Sequence, residues 1–308
     1  MENLNKGTGV LAIATAAFLW SIAGLFIKVI DWNPIAIAGM RSFIASIVIL
    51  IYLKRPRINL SFPQIAAAIS NSVTMLLFVS ANKTTTAANA ILLQYLAPIF
   101  TAFLGAMLLR ERVHKEHFIA LPLVTGSMFL MLFDEAGGGR VFGNILALMS
   151  AVTFSFSFVF MRMQKDGSPL ESMLLAHWLT AAICIIISSF LPFPHITLKS
   201  LASIAGLGVV QIGASAILFS IAIKRVSAVQ ANLIAVIEPV FNPVWVFLVI
   251  GEVPSFNALI GGSIIILVVT MASIINASRR EETLGENNLL KRDELGLPRH
   301  PAPPALHS

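Results

Sequence analysis

Between residues 8 and 276 the chain is a succession of apolar runs, each about as long as a bilayer's hydrocarbon core is thick, joined by a few polar residues. A core about 30 Å thick takes about 20 residues of helix. On that measure the sequence predicts helices at 8–29, 34–53, 63–82, 86–109, 116–133, 142–161, 171–190, 200–222, 228–250 and 256–276. Ten such helices use about 200 residues, which leaves no room in 308 for a large soluble domain. With 57% hydrophobic and only 12% charged residues, the expected class is an all-α integral membrane protein with ten transmembrane helices. The first run lacks a strong basic lead and continues into Phe26-Ile27 without a small-residue cleavage site, so it reads as a retained helix and not as a signal peptide.

In a soluble protein a net charge of +6 would suggest nucleic acid. Here the basic residues stand at the ends of apolar runs, where they report topology, so the expected surroundings are a lipid bilayer and no nucleic acid. Alternate connections hold Lys6, Lys54, Arg55, Arg57, Arg110, Arg112, Lys115, Arg162, Lys165, Lys224 and Arg225 on one side, and only Lys83, Arg140 and Lys199 on the other. Positive charge stays in the cytoplasm, so both termini are expected there, with Arg279 and Arg280 directly after the last run. Residues 281–308 are acidic, then Pro-rich, without apolar periodicity, and read as a disordered cytoplasmic tail or a peptide motif for a cytosolic partner. The one cysteine, Cys184, lies within an apolar run, so neither a disulfide nor a thiolate metal cluster is expected. No cofactor is implied.

The two halves resemble each other. Gly9, Leu11, Ala17, Trp20-Ser21, Leu25-Phe26 and Lys28 match Gly143, Ile145, Ala151, Phe154-Ser155, Val159-Phe160 and Arg162. Leu77-Phe78, Ala81, Lys83, Thr86-Ala87, Ala90, Leu92, Pro98 and Glu111 match Leu218-Phe219, Ala222, Lys224, Ser227-Ala228, Ala231, Leu233, Pro239 and Glu252. A unit of five helices is thus used twice. Five is odd, so the second copy enters the membrane upside down. The charges follow that inversion: Arg110-Glu111-Arg112-Val113-His114-Lys115 becomes Gly251-Glu252-Val253-Pro254-Ser255, and Lys83 stands where the second copy has Lys224-Arg225. The expected units are 1–137, 138–280 and the tail.

At these residues the chain resembles the drug/metabolite transporter superfamily, specifically its EamA-type carriers. The resemblance rests on Leu19-Trp20-Ser21, Arg41, Thr84 to Ala90, Ala97-Pro98 with Leu108 to Glu111, Glu238-Pro239-Val240-Phe241 and Gly251-Glu252, and spans residues 8 to 276. It implies two inverted five-helix repeats around a transport path, and it is specific for a family, not for a substrate. Ala97 stands where the second copy has Glu238, so that carboxylate has no symmetric mate.

Polar groups within hydrocarbon cost a few kcal/mol and so face a cavity or a partner. Glu238 is the acidic residue nearest the middle of a run, and Glu238, Asn242 and Trp245 share one helix face at i, i+4 and i+7. Pro98 and Pro239 free carbonyls one turn back, at Gln94 and Ala235, which suits either a kink packed for shape or a bend facing substrate. Asn71, Thr74 and Phe78 share a face of the third run, and Gln211 and Ser215 one of the eighth; each set fits interhelical bonding or cavity lining. Trp20 and Phe154 could wall a cavity or pack the core, and Tyr95 precedes Pro98 where the second copy has Val236. Lys28 can snorkel to an interface. Arg41 could anchor a substrate carboxylate, pair with Glu238 or brace a gate; His177, roughly matched to it, could relay protons or be a satisfied structural group.

The expected function is a secondary transporter of small organic metabolites, amino acids or related amphipathic solutes first, moved outward by alternating access. A lipid-linked substrate flippase is the runner-up. An intramembrane enzyme would need paired Asp in the runs or a Gly-x-Ser-x-Gly companion for His177, and the sequence has neither. No Gly-x-x-x-x-Gly-Lys-Ser/Thr motif is present, so gradients of substrate or ions, or a separate subunit, must supply the energy. The resemblance and the short loops suit a bacterial inner membrane, and a monomer suffices for such a path.

Overall fold

The computed structural model describes residues 2–110, 115–132, 140–164, 169–222, 225, 234–271 and 274–275. The expected tail, the connecting residues Glu111–His114 and the Ser227–Leu233 segment, matched in sequence to Thr86–Leu92, lie outside them. The first span is α1 (Glu2–Ser21) and α2 (Ala23–Val29), followed by α3 (Pro34–Leu53) and α4 (Phe62–Thr84). The fourth is divided into α5 (Ala87–Gln94) and α6 (Ala97–Leu109), and α7 (Lys115–Leu132) closes the first copy. The second copy begins with α8 (Val141–Met163) and α9 (Pro169–Ser188). Its third span is composite: α10 (Leu198–Ala205), a π-helical segment Gly206–Ala214, and α11 (Ser215–Ala222). Then come α12 (Ile237–Ile250) and α13 (Phe256–Met271). Among the described residues seven spans are long and apolar enough to cross a membrane, and Pro122–Met131, Ile237–Ile250 and Phe256–Met271 are shorter apolar helices. Together they are the ten spans read from the sequence.

Local chemistry starts these helices. Asn33 accepts from the Ala36 N–H at 2.8 Å with Pro34 at the first turn of α3, and Thr86 accepts from the Asn89 N–H at 3.1 Å to begin α5. Thr197 and Ser200 form a reciprocal capping box on α10. Each helix then sorts its residues opposite to a soluble one. On α3 the exposed positions are Met40, Phe43, Ile47 and Ile51, while Arg41, Ser42, Ala45 and Ser46 are buried.

Packing follows the inverted duplication. In the first copy α4 lies against α8 and α9 of the second; in the second copy α11 and the π segment lie against α1 and α3 of the first. Likewise α5 and α6 pack on α8, as α12 packs on α1 and α2. The contacts of α3 with α9 and of α5 with α12 pair matched spans. Exchanging the copies therefore returns the same arrangement, and the core lies between them. Small residues allow the close approach: a Cβ on Gly213 would lie 2.7 Å from Val48, and one on Gly261 would lie 2.7 Å from Met131.

The duplication also fixes two matched helix ends. Gly251 ends α12 at φ 77°, and Arg110, its counterpart, ends α6 at φ 56°. Glycine enters this left-handed region freely, whereas arginine is strained there by about 1 kcal/mol. Arg110→Gly is therefore expected to raise thermal stability by a few degrees, and Gly251→Arg to lower it, as read by a melting curve of the purified protein.

Candidate functional site: the seam between the two copies

Both members of the fourth-span pair are disturbed within the span. Between α5 and α6 the helix breaks at Tyr95–Leu96, where the Leu96 N–H reaches back only to the Leu93 carbonyl at 3.3 Å. Pro98 has no N–H to give the Gln94 carbonyl, and Pro239 has none for Ala235. A second proline, Pro243, lies inside α12 and withdraws the donor for the Pro239 carbonyl. The sequence reading passed over it. A one-residue turn at Val236, itself in the α region, separates helical Ile234–Ala235 from α12, and Glu238 stands in the first turn of α12. Its side chain is half-buried, with no hydrogen-bond or ion-pair partner among the described residues. Tyr95 is within electrostatic range of it, and α5 packs against α12. The carboxylate thus stands in the helix that packs against the broken partner span.

The strip Glu238–Asn242–Trp245 continues toward the first span. Asn242 is wholly buried with neither amide atom bonded, and its Oδ1 packs against Gly24 so closely that no Cβ fits there. Trp245 donates from Nε1 to Ser21 Oγ at 2.9 Å and sits edge-on to Phe18, ring centroids 5.6 Å apart. In the other copy the matched serine, Ser155, donates to the Ala97 carbonyl at 2.8 Å. Repeat-matched serines thus each tie a first span to a broken helix.

The remaining sequence candidates divide. Thr74 bonds Thr153 across the copies at 2.8 Å and its own helix at Ser70 at 2.8 Å, while Phe78 lies in the apolar core. Ser215 donates to the Gln211 carbonyl of its own span. Trp20 packs on Phe219 at 5.3 Å and Phe154 on Phe158 at 4.6 Å, so the two matched aromatics do not face each other. Asn71 and Gln211 are buried, each with an unbonded amide atom, and Gln211 falls in the π segment. Arg41 is not paired with Glu238. His177 is fully buried with both ring nitrogens unbonded.

Sequence reasoning missed the chemistry at the face opposite the N-terminus. Lys28, expected to snorkel alone, instead pairs with Glu252 at 2.6 Å and donates to the Thr85 carbonyl at 2.7 Å. The other oxygen of Glu252 accepts from the Ala87 N–H, at 2.7 Å, at the start of α5. Thr85 donates to Asn144, whose amide donates to the Met131 carbonyl. Trp32 donates to the His195 carbonyl at 2.9 Å, and Lys83 to the carbonyl of Ile30. The side chains of Lys28 and Glu252 are only 14% and 20% exposed, so this is more than a solvated surface pair. The signal was in the repeat: Lys28 and Glu252 have charged counterparts, Arg162 and Glu111, at the matched positions.

Loss of the Trp245 bond has a measurable consequence. Trp245→Phe and Ser21→Ala should each lower stability by about 1 kcal/mol, and the double variant by less than their sum. Additive losses in a denaturation series would show that the bond does not join α12 to α1.

Comparison with known proteins gives a consistent result. A model of the EamA-like transporter family matches residues 7–133 and again 141–274. An uncharacterized transporter of Archaeoglobus fulgidus is 28% identical over 266 residues, covering 86% of this chain and 96% of that protein. The uncharacterized transporter YoaV of Bacillus subtilis is 21% identical, covering 88% and 98%. A crystal structure sharing the fold superposes with a TM-score of 0.61 at 21% identity, covering 89% of this chain and 99% of that one.

Proposed function

Because the chain belongs to the EamA-like transporter family, and is thus a multi-pass membrane transporter, we propose that it is a secondary carrier exporting a small organic metabolite, with amino acids and related amphipathic solutes as the first class. The solute crosses where the broken α5–α6 pair meets α12, and the two copies expose that seam to each face in turn. The units that move are residues 1–137 and 138–280. The observation that supports this most is Glu238: a half-buried carboxylate, without a partner among the described residues, in the first turn after an interruption of its span. Transporter sites are commonly built from such interrupted helices, whose exposed termini meet charged or polar cargo. The chain holds no nucleotide-binding motif, so a gradient of solute or protons drives the cycle. Its basic residues crowd the face of the N-terminus, which supports a bacterial inner membrane with both termini cytoplasmic.

Two measurements test the reading. Proteoliposomes containing the protein should show saturable flux of at least one solute from an amino-acid panel; flux of lipid-linked substrates alone would favour a flippase. If Glu238 carries a proton, Glu238→Gln flattens the dependence of that flux on pH, whereas an unchanged pH profile removes coupling and leaves facilitated transport.

Alternating access requires the Lys28–Glu252 contact to break once per cycle, since it joins the first span of one copy to the end of α12 in the other. Lys28→Glu should cost about 1–2 kcal/mol of stability and disturb flux, and adding Glu252→Lys should recover only part of each, since the exchanged charges re-form the ion pair but cannot serve the Thr85 carbonyl and the Ala87 N–H. A disulfide between Lys28→Cys and Glu252→Cys should stop transport until it is reduced.

A further inference from the structure

Arg41 stands on α3 seven residues past Pro34, about 10 Å into the helix. The residue is 4% exposed, and its Nε is buried without a hydrogen-bond partner. No carboxylate pairs with it among the described residues. Two acids elsewhere in the interface are engaged: Glu171 of α9 accepts from the Arg57 N–H at 2.6 Å, and Glu252 holds Lys28.

Among the described residues the surrounding elements bring donors and the Cys184 thiol of α9, which lies against Gly39 and within electrostatic range of Arg41, and no carboxylate pairs with it. Across from α3, on the matched helix α9, His177 is fully buried with both ring nitrogens unbonded, and it lies within electrostatic range of Arg41. The register of the interface is fixed around them. Ser42 and Thr180 both donate toward Met75 Sδ, at 3.6 and 3.8 Å, and Ser72 donates to the Ala176 carbonyl at 2.9 Å. Behind Arg41, Gly208 of the π segment comes so close that a Cβ there would lie 3.0 Å from the Arg41 carbonyl. Wide helical turns of this kind gather at functional sites.

A guanidinium keeps its charge and presents a planar fork of donors, and a neutral imidazole presents one more. Buried together without an anion, they lack one partner: a planar group with two acceptor oxygens. We propose that Arg41 and His177, at the contact of α3 with α9, form a carboxylate-binding subsite of the transport path, so that the carried solute is an organic acid or amino acid held by its carboxylate. This deepens the carrier reading above and rests on it for the word transport; binding itself does not.

The test uses the full-length purified protein and matched probes: acetate against acetamide, L-leucine against L-leucinamide, and L-glutamate against L-glutamine, with sodium chloride as control. At least one carboxylate should raise the melting temperature saturably, by about 2 °C or more, while its uncharged carboxamide does not; for glutamate and glutamine, which both keep the α-carboxylate, equal shifts are expected. Arg41→Gln should abolish the shift, Arg41→Lys should weaken binding about tenfold because the fork is lost, and His177→Asn should weaken it severalfold. Equal shifts with acetamide or leucinamide, equal shifts with chloride, or retained binding in Arg41→Gln would each overturn the assignment. If Arg41→Gln does not fold, Arg41→Lys decides: unchanged affinity overturns it. Flux separates the two readings. Arg41-independent transport of solutes lacking a carboxylate sinks the subsite and spares the carrier, whereas carboxylate binding without flux of any solute does the reverse.

Discussion

Hydrocarbon offers no hydrogen bonds, so every peptide group inside it must find its partner within the protein. That requirement explains why the apolar runs are helical, why polar side chains are turned inward, and why any interruption of a helix is informative. The helices on either side of the Tyr95–Leu96 break pack on α8 of the other copy, and the wide turns of Gly206–Ala214 lie against α3. A lipid-facing break of the same kind would leave carbonyls bare.

Much of this could be read from residues alone. The ten spans followed from run length, and the inversion followed from an odd number of helices per copy and the migration of basic residues between matched loops. The break in the fourth span was legible in Pro98 because proline's missing N–H is a local property. The role of Lys28 was not, because an isolated lysine near a helix end is satisfied by water at an interface as easily as by a partner. Only the fold brings Glu252, distant in sequence, within 2.6 Å. The π segment was hidden for a related reason: Gly206, Gly208 and Gly213 signal close approach, yet they do not say that the helix must widen to accommodate Phe26, Ile44 and Val48. Thr74 and Ser215 looked alike in sequence, but one bonds across the copies and the other to its own backbone.

Symmetry sets the frame, and its violations locate the chemistry. Repeat-matched serines and helix ends serve both copies alike, so they read as architecture. Glu238 opposite Ala97, Tyr95 opposite Val236 and Arg41 facing His177 have no true counterparts, so duplication alone does not account for them. A carrier built from two equal halves still needs an asymmetric interior if its cargo has a head and a tail.

The π-helical stretch has a mechanical consequence. Each i→i+5 turn holds one residue more than an α-turn, and that surplus can migrate along a helix as its hydrogen bonds exchange partners one at a time. Passing it from one end of Gly206–Ala214 to the other would swivel the stretch between by about a quarter turn or slightly more. The flanking segment Ser215–Ala222 would keep its own ladder throughout. Gln211 would then sweep from one neighbour to another without baring a single peptide group to lipid.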